Sequence, residues 1–427
     1  MTTRTFQNCG DGSRDPEAAI PITISRSKKQ IHLLFTRLIG ILHYFAFGED
    51  RLHLGNKNEN SVFILYFTRF ALSLHTNCDY YLKMDKYNIF APKERGRFAN
   101  RLEELYLTLG AYLDAEQAEG RHLQYTKVFL SDAQNQYGEL TRSTLHTAIL
   151  STAACSVIEQ PPLDGSKISI LVKTTDEADN FILHSIRLSE EETRGANSYI
   201  QTMLIFNKYL DSIKQMGLNM REHCMRTWIY VADIDVNYEG MVRARNDIFR
   251  NQGLTPETHF IASTGIGGFS QTRSASVAID FLTYPGVKDA NKKYLQALDN
   301  LNPTHEYGVS FERGTRMTMG DKQTFFISGT ASIDKYGKAM YVGDIRLQTA
   351  RLLENIGALL HDGGANMGDV RYFYVYLRDA SDRDIVERFL QETYPDIPHV
   401  LLNGKVCRPE WLVEMECIAT KTTTGKE

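Results

Sequence analysis

Hydrophobic and polar residues alternate with two different periods along the second half of the chain. Near residues 228–233 and again near 374–379 they alternate one by one, which predicts half-buried strands. Residues 201–213 and 348–360 instead carry apolar side chains at helical spacing. Further helices are predicted at 238–251 and 382–393, and further strands at 260–266, 276–284, 400–407 and 412–420. The pattern predicts an α/β (α+β) protein.

These elements occur twice at nearly constant spacing. An offset of 147 residues lays the turn that begins at Gly217 over the turn that begins at Gly364, and both turns read Gly-x-Asn-Met. A glycine just after a helix can take the left-handed conformation that ends it, so the shared turn has a structural reason. With a smaller offset, the final strands place Asp280 over Glu416. We therefore predict two tandem copies of one unit, each a mixed sheet with two helices on one face.

The duplication divides the chain into five predicted segments. They are an N-terminal extension of unknown role (1–90), a helical lead-in (91–134), a degenerate first copy (135–286), a polar linker (287–304) and a well-kept second copy (305–421). Met84 opens a more conventional sequence than the residues before it. Residues 1–83 are therefore either an accessory segment or not part of the natural protein.

Charge and cysteine usage exclude several classes of function. A formal net charge of -4 gives no general attraction to a phosphate backbone, so nucleic acid is not an expected partner. The six cysteines are scattered, without the close pairs of a metal site or a disulfide framework, which favours reduced thiols in a cytoplasm. The apolar stretch 31–47 is short for a bilayer span and contains Arg37 and His43, so we expect no membrane anchor. We predict neither a metal nor a cofactor.

The second copy resembles the Rid (YjgF) family, also called endoribonuclease L-PSP-like, over almost its full length. The resemblance rests on motifs in a fixed order: Phe325-Phe-Ile-Ser-Gly-Thr-Ala-Ser-Ile-Asp334, Gly343-Asp-Ile-Arg-Leu-Gln-Thr349, Val375-Tyr-Leu-Arg-Asp379 and the closing run from Val406 to Ala419. Members of this family are typically trimers with active clefts between subunits. The resemblance implies a cleft lined by the first and last strands, in either a homotrimer or a pseudo-symmetric monomer.

A degenerate copy followed by a well-kept one resembles the chorismatases, over about residues 135–421. The segments that carry this resemblance are Tyr307-Gly-Val-Ser-Phe-Glu-Arg313, Tyr238 with the arginines after it, and Ala262-Ser-Thr-Gly-Ile-Gly267. Chorismatases cleave chorismate to pyruvate and a hydroxybenzoate or cyclohexadiene acid. The resemblance implies a small carboxylated metabolite as the substrate.

Two glutamates of the last strand are the candidate catalytic residues. Glu414 and Glu416 are two apart, so their side chains point to one face of the strand. Two carboxylates on one face repel, which can raise one pKa and keep a proton available for a leaving enol ether oxygen. A solvated face with surface ion pairs is the alternative. By resemblance a glutamate of this strand handles the proton, and Glu416 is the first choice.

Two arginines are the candidate ligands for substrate carboxylates, because a guanidinium presents paired donors at fixed geometry. They are Arg313 and Arg245, the second lying seven residues after Tyr238 and thus on the same helix face. Ordinary surface charge is the alternative for Arg245. Tyr307 is a further candidate for substrate binding through the chorismatase-like segment that it opens.

The glycine-rich segment 263–268 supplies backbone that a ligand can approach closely, and Thr264, Gly265 and Gly267 are its candidate binding residues. A plain strand bulge or turn is the alternative. Cys407 resembles the pocket cysteine of the family, and we expect it to shape the pocket without acting as a nucleophile. Lys405 stands where imine-deaminating Rid enzymes carry a substrate-binding arginine. A lysine can still attract a carboxylate, although it loses the bidentate match.

Three functions remain open from the sequence. The leading prediction is a cofactor-free, chorismatase-like hydrolase or lyase that cleaves an enolpyruvyl ether and releases pyruvate. An imine or enamine deaminase of the Rid type is the second, and a non-catalytic small-molecule-binding member of the family is the third. The sequence leaves the exact substrate, the product and the oligomeric state undetermined.

Overall fold

Three mixed sheets of one connectivity make up the computed structural model, which describes residues 85–176 and 180–423. In each sheet the final strand lies antiparallel between the first and the central strand, and a further strand pairs in parallel with the central one. The same unit therefore occurs three times. We call these copies the first repeat (86–175), the second repeat (182–283) and the third repeat (314–422).

The first repeat packs a long helix against the outer face of its sheet. Its elements are β1 (Lys86–Phe90), α1 (Phe98–Ala118), β2 (His122–Leu130), α2 (Ala133–Arg142), α3 (Thr144–Ala148), β3 (Ala154–Glu159) and β4 (Ile168–Thr175). Leu102, Leu105 and Leu109 recur at helical spacing on α1 and are buried with Val128 and Ile170 of the sheet.

The second repeat has two long helices on its outer face. Its elements are β5 (Ile182–Ile186), α4 (Glu190–Thr193), α5 (Ser198–Gln215), α6 (Met220–His223), β6 (Cys224–Val231), α7 (Ile234–Asn251), β7 (Ala262–Gly267) and β8 (Val277–Thr283). Phe206 of α5 and Phe249 of α7 are buried with Phe281 of the final strand.

The third repeat extends its sheet with two additional strands. The elements from the linker onward are β9 (Lys292–Tyr294), β10 (Gly314–Met319), β11 (Lys322–Ala331), α8 (Ile345–Asp362), β12 (Val370–Leu377), α9 (Arg383–Thr393), β13 (His399–Asn403) and β14 (Val413–Thr422). β10 pairs with β11 on one side and with β9 on the other. Part of the predicted linker is therefore a strand of the third sheet.

The predicted tandem arrangement is confirmed for the second and third repeats. Gly217 and Gly364 both end their helices with a positive φ, of 72° and 85°. Asp280 pairs across the sheet with Trp228, and Glu416 pairs in the same way with Tyr374. The two acidic residues therefore occupy equivalent positions.

The observed boundaries differ from the predicted ones in the first part of the chain. The predicted helical lead-in 91–134 contains β2, the central strand of the first sheet, and the predicted copy 135–286 joins half of that sheet to the whole second one. Residues 86–90 of the predicted extension form β1. The rest of that extension, including the apolar stretch 31–47, lies outside the described residues. Along the described part of the chain, no helix combines the length and apolar character needed to cross a bilayer.

The inner faces of the three sheets meet around their central strands. Lys127, Trp228 and Tyr374 occupy equivalent positions on β2, β6 and β12, since each lies opposite the corresponding residue of the final strand. Neighbouring rings pack across the sheets, as where Phe129 meets Tyr374 edge-on at 5.1 Å between centroids. Each pair of repeats therefore shares an interface, and one of these interfaces contains the candidate site.

Candidate functional site

The two glutamates of β14 lie in the interface between the second and third repeats. Both are buried on the inner face of the third sheet, with Glu416 only 1% exposed. Oε2 of Glu416 accepts a hydrogen bond from Arg226 Nη2 at 2.8 Å, and its Oε1 accepts one from Trp228 Nε1. Glu416 is therefore ion-paired with Arg226 across the interface. The predicted shared face is therefore a buried site and not a solvated surface.

Glu414 has the opposite electrostatic environment. Burial raises the pKa of Glu414 to about 8, the charge of Glu416 raises it further, and Arg226 and Arg313 act against both. A Cβ atom on residue 329 would lie 1.9 Å from Glu414 Oε1, so only glycine leaves room for the carboxyl group there. At neutral pH Glu414 is therefore mainly protonated, beside a Glu416 side chain that is ion-paired with Arg226. The raised pKa makes Glu414 a stronger candidate for the proton donor than the first-choice Glu416.

Arg226 is the main site residue that sequence reasoning missed. On β6, its Nη1 donates to the Ile327 carbonyl at 2.9 Å, and its Nη2 donates to Thr264 Oγ1 at 2.6 Å as well as to Glu416. A register shift between Cys224 and Arg226 disturbs the alternation at this point. The similarity between the two central strands begins at Trp228 in the sequence, so it does not include Arg226.

The glycine-rich strand β7 is the part of the second repeat that borders the site. Thr264 Oγ1 accepts a hydrogen bond from the Gly329 amide at 2.9 Å, which joins β7 to the third sheet. Gly265 lies against the ring of Tyr238. Gly267 contacts backbone instead, because its amide donates to the Lys405 carbonyl at 2.9 Å and a Cβ there would lie 2.8 Å from the Lys405 nitrogen. Gly267 therefore links the second repeat to the third through its backbone.

Helix α7 places Tyr238 and Arg245 beside the glutamates. Burial raises the pKa of Tyr238 well above its usual value; Cys407 and Glu414 raise it further, and Arg245 lowers it, so these groups lie close together. Arg245 is itself buried. Burial and the charge of Glu414 raise the pKa of Cys407 to about 12, so its thiol stays protonated. That Cys407 shapes the pocket stays a prediction.

Arg313 lies at the other end of the site, just before β10. Its guanidinium donates to the Asn302 carbonyl at 3.0 and 3.2 Å and to Asn302 Oδ1 at 3.3 Å. A cavity of about 180 Å³ extends from Arg313 between the loop 255–260 and the linker, with Phe260, Leu295 and Leu301 among its walls. Tyr307 lies in a 3-10 turn (Thr304–Tyr307) of the same linker.

The structure does not bring Lys405 into the site. The strand predicted at 400–407 ends at Asn403, so the predicted alternation of side chains does not apply to the residues that follow. The Lys405 side chain is 56% exposed, and its Nζ lies 3.4 Å from Asp235 on the surface. Its backbone is held by Gly267, which turns the side chain outward. No metal cluster of three or more histidine, cysteine, aspartate or glutamate residues occurs within 85–176 and 180–423.

Comparison with known proteins identifies the family. The endoribonuclease L-PSP family model matches residues 315–421. A RutC family protein of Pyrococcus abyssi is 35% identical over 98 residues, which are 22% of this chain and 77% of the relative. The 3-aminoacrylate deaminase RutC of Acinetobacter baylyi is 26% identical over 96 residues, 22% of this chain and 76% of the relative. The chain belongs to the Rid (RutC, L-PSP) family through its third repeat.

The full arrangement of repeats is similar to that of a chorismatase. A chorismatase crystal structure superposes with a TM-score of 0.57 over 79% of this chain and 98% of that protein, at 17% sequence identity. The likeness establishes the shared fold. It covers nearly the whole of the chorismatase chain, so the two proteins share a chorismatase-like arrangement of tandem Rid-like units.

Proposed function

We propose that this protein cleaves the enolpyruvyl ether of chorismate, or of a related carboxylated metabolite, by acid-catalysed hydrolysis that releases pyruvate. The observation that carries the proposal is a buried Glu414 whose pKa, raised to about 8, keeps a proton at neutral pH next to Glu416, which Arg226 contacts at 2.8 Å. A general acid works best when its pKa lies near the working pH. Glu414 meets that condition.

The chemistry assigns one role to each member of the site. Glu414 transfers its proton to the methylene carbon of the enol ether, and water adds to the central carbon of the resulting oxocarbenium ion. The carbon–oxygen bond of the hemiketal then breaks, so that pyruvate and the ring alcohol leave and Glu414 regains a proton from the added water. The Glu416 carboxyl group, on the same face as Glu414, would stabilise the cationic intermediate against the positive charges of the nearby arginines. The reaction consumes one water molecule and requires no oxidant or reductant.

Arg245 and Arg313 are the proposed ligands of the two substrate carboxylates. Both are buried, and the charge of Arg313 acts on Glu414 while Arg245 acts on Tyr238 beside it. Burial strengthens the interaction of a guanidinium with a carboxylate because fewer water molecules compete. The 180 Å³ cavity beyond Arg313 has a mixed polar and apolar lining, which does not include the glutamates. Tyr238, Thr264 and Gly265 are not part of that cavity and would contact the substrate beside the glutamates. Four described cysteines are free thiols, which fits a reducing cytoplasm.

The direct test is to incubate the purified full-length chain with chorismate and to measure pyruvate with a coupled dehydrogenase. We expect pyruvate release to be greatest below pH 8 and to fall as Glu414 ionises. Absence of pyruvate between pH 5 and 9, with the folded protein confirmed by circular dichroism, would refute the proposal. Binding of a hydroxybenzoate without turnover would indicate a non-catalytic binding protein.

Enamine hydrolysis is the second candidate, because one curated relative is named a 3-aminoacrylate deaminase. Its test is ammonia release from freshly generated 2-aminoacrylate, compared with the rate without protein. The position of Lys405 argues against this reaction, since its side chain points to the surface where the resemblance places a substrate-binding arginine. Faster ammonia release together with no pyruvate from chorismate would replace the first proposal by the second.

A further inference from the structure

The buried amine of Lys127 connects the first repeat to the glutamate pair. Lys127 Nζ lies 3.5 Å from the centroid of the Trp228 ring and 3.3 Å from Asp280 Oδ2. Trp228 Nε1 in turn donates a hydrogen bond to Glu416. A continuous line of contacts therefore runs from a lysine of the first repeat, through an indole of the second, to a carboxylate of the third.

The contact between Lys127 and Trp228 has two physical effects. An ammonium group over the face of an indole is attracted by the ring quadrupole, and the attraction is larger in a desolvated site. This attraction holds the ring plane and so fixes the direction of its N–H group. A cation on the ring face also withdraws electron density, which makes Nε1 a stronger hydrogen-bond donor. Both effects stabilise a negative charge on Glu416.

Lys127 is positively charged at neutral pH and below. It is fully buried, and burial lowers its pKa to about 8, against the charges of Asp280 and Glu416, which raise it. The amine is therefore protonated at neutral pH and below. Its Nζ has no hydrogen-bond acceptor among the described residues apart from its ion pair with Asp280, so the ring face is its other main contact.

We propose that Lys127 is a positioning residue of the glutamate pair: its ammonium group holds the Trp228 indole in the orientation in which Nε1 donates its hydrogen bond to Glu416. The catalytic consequence rests on the proposed function. The effect on the two carboxyl groups does not, because it follows from contacts within the protein.

Other charged and titratable groups also face the pair, and the proposal has to be separated from their effects. Arg226 and Arg313 are the cations that remain if Lys127 is replaced. The other groups that interact electrostatically with either glutamate or with Lys127 are Asp280, Tyr230, Tyr238, Tyr372, Tyr376, Cys407 and Cys417. Arg226 also lies over the Trp228 ring, with its guanidinium carbon 5.1 Å from the centroid, and it stays in place when Lys127 is replaced, so the difference between Lys127→Met and Lys127→Arg reports on the lysine charge.

The experiment compares Lys127→Met with Lys127→Arg and Trp228→Phe. Loss of the cation should weaken the support that the Trp228 N–H gives to the Glu416 carboxyl group, so the acid limb of the pH profile for pyruvate release should move upward by roughly one unit in Lys127→Met. Trp228→Phe keeps a ring but removes the N–H, and it should move the limb in the same direction. Lys127→Arg keeps a charge over the ring and should restore most of the wild-type profile.

Lys173→Met is the matched control. Lys173 is an equally buried lysine of the first repeat, but it pairs with Asp85 at 3.0 Å and lies on β4. Its loss should lower stability without moving the pH profile. An equal shift in Lys173→Met would show that general loosening, and not the contact with Trp228, moves the titration, and it would overturn the proposal.

A second readout does not require activity. Glutamate carboxyl carbons labelled with ¹³C report ionisation by NMR, and the signals of Glu414 and Glu416 can be assigned by comparison with Glu414→Gln and Glu416→Gln. If no variant releases pyruvate, the proposed function fails while this titration still decides the role of Lys127. Unchanged titration of both carboxyl groups in Trp228→Phe would overturn the proposal, even if Lys127→Met does not fold.

Discussion

Two of the interfaces carry different residues at equivalent positions. The former lies between the second and third repeats, and the latter lies between the first and second repeats. Where the former has Glu416, the latter has Asp280; where the former has Glu414, the latter has Ala278. Asp280 is held by Lys127 at 3.3 Å, by Arg187 at 3.0 Å and by Ser156 at 2.6 Å. Two cations thus surround one carboxylate, and no second carboxyl group at this position can carry a proton.

The interface between the third and first repeats completes the comparison. At the positions of Glu416 and Glu414, the final strand β4 carries Leu171 and Ser169. This interface has lost both carboxyl groups. Of the three interfaces between the described repeats, one places two carboxyl groups side by side, and there burial and the neighbouring Glu416 raise the pKa of Glu414.

The largest expected effect is on turnover. Glu414→Gln removes the transferable proton but keeps a neutral hydrogen-bonding group of similar size. Loss of a general acid lowers rates by about 10²- to 10⁴-fold, so pyruvate release should fall by that factor while substrate binding persists. Steady-state kinetics measure it, and Glu392→Gln on the exposed side of α9 is the control. A variant with near wild-type kcat would remove Glu414 from the mechanism.

The second effect is on stability, at the interface between the first and second repeats. Asp280→Asn leaves Lys127 and Arg187 buried without their shared anion. Removal of one partner from a buried charge pair costs about 3–5 kcal/mol, so the free energy of unfolding in urea should fall by that amount. Because Lys127 then lacks its counterion, Asp280→Asn with Lys127→Met should recover part of the loss. Additive losses would argue against the ion pair.

The third effect is a pH dependence that the glutamate pair adds to stability. The pKa of Glu414 is about 8 in the folded protein and about 4.5 in the unfolded chain. The folded state therefore binds one more proton between these values, and its stability should fall as pH rises from 4.5 to 8. The free energy of unfolding of Glu414→Gln should lack this dependence on pH. The difference in unfolding free energy between wild type and variant should therefore shrink or reverse at higher pH. A constant difference across the range would contradict the raised pKa.

The smallest effect concerns the space beside Glu414. Gly329→Ala places a methyl group against the carboxyl oxygen and should cost about 1–3 kcal/mol of unfolding free energy. Gly357→Ala is the control, because it lies inside α8 with its nearest contact 3.9 Å away and should be neutral or stabilising. Thermal denaturation of both variants measures the difference, and a Gly329→Ala protein as stable as Gly357→Ala would contradict the close approach.

Part of this arrangement could be predicted from the sequence, because it depends on local periodicity. The turns at Gly217 and Gly364 and the equivalence of Asp280 and Glu416 follow from spacing along the chain. The first repeat could not be recognised from the sequence, because Lys127 and Leu171 stand where the other two repeats carry aromatic and acidic residues. Only Gly120, which ends α1 with a φ of 79°, retains the signal of the shared turn.

The assignment of the proton could not be predicted from strand alternation. Alternation places Glu414 and Glu416 on one face, but it does not say which one meets Arg226, which lies 190 residues away along the chain. The direction of the Lys405 side chain could not be predicted either, because β13 ends two residues earlier. The backbone contact between Lys405 and Gly267 decides where the lysine side chain points. Long-range partners settle both questions.

The presence of all three repeats in one polypeptide has a consequence for how the pocket assembles. A cleft built between separate subunits comes apart on dilution, whereas here the chain itself keeps β7 and β14 at a fixed, high effective concentration. Specific activity should therefore be the same at nanomolar and micromolar protein. Covalent continuity also lets each interface mutate without altering the other two, which identical subunits cannot do.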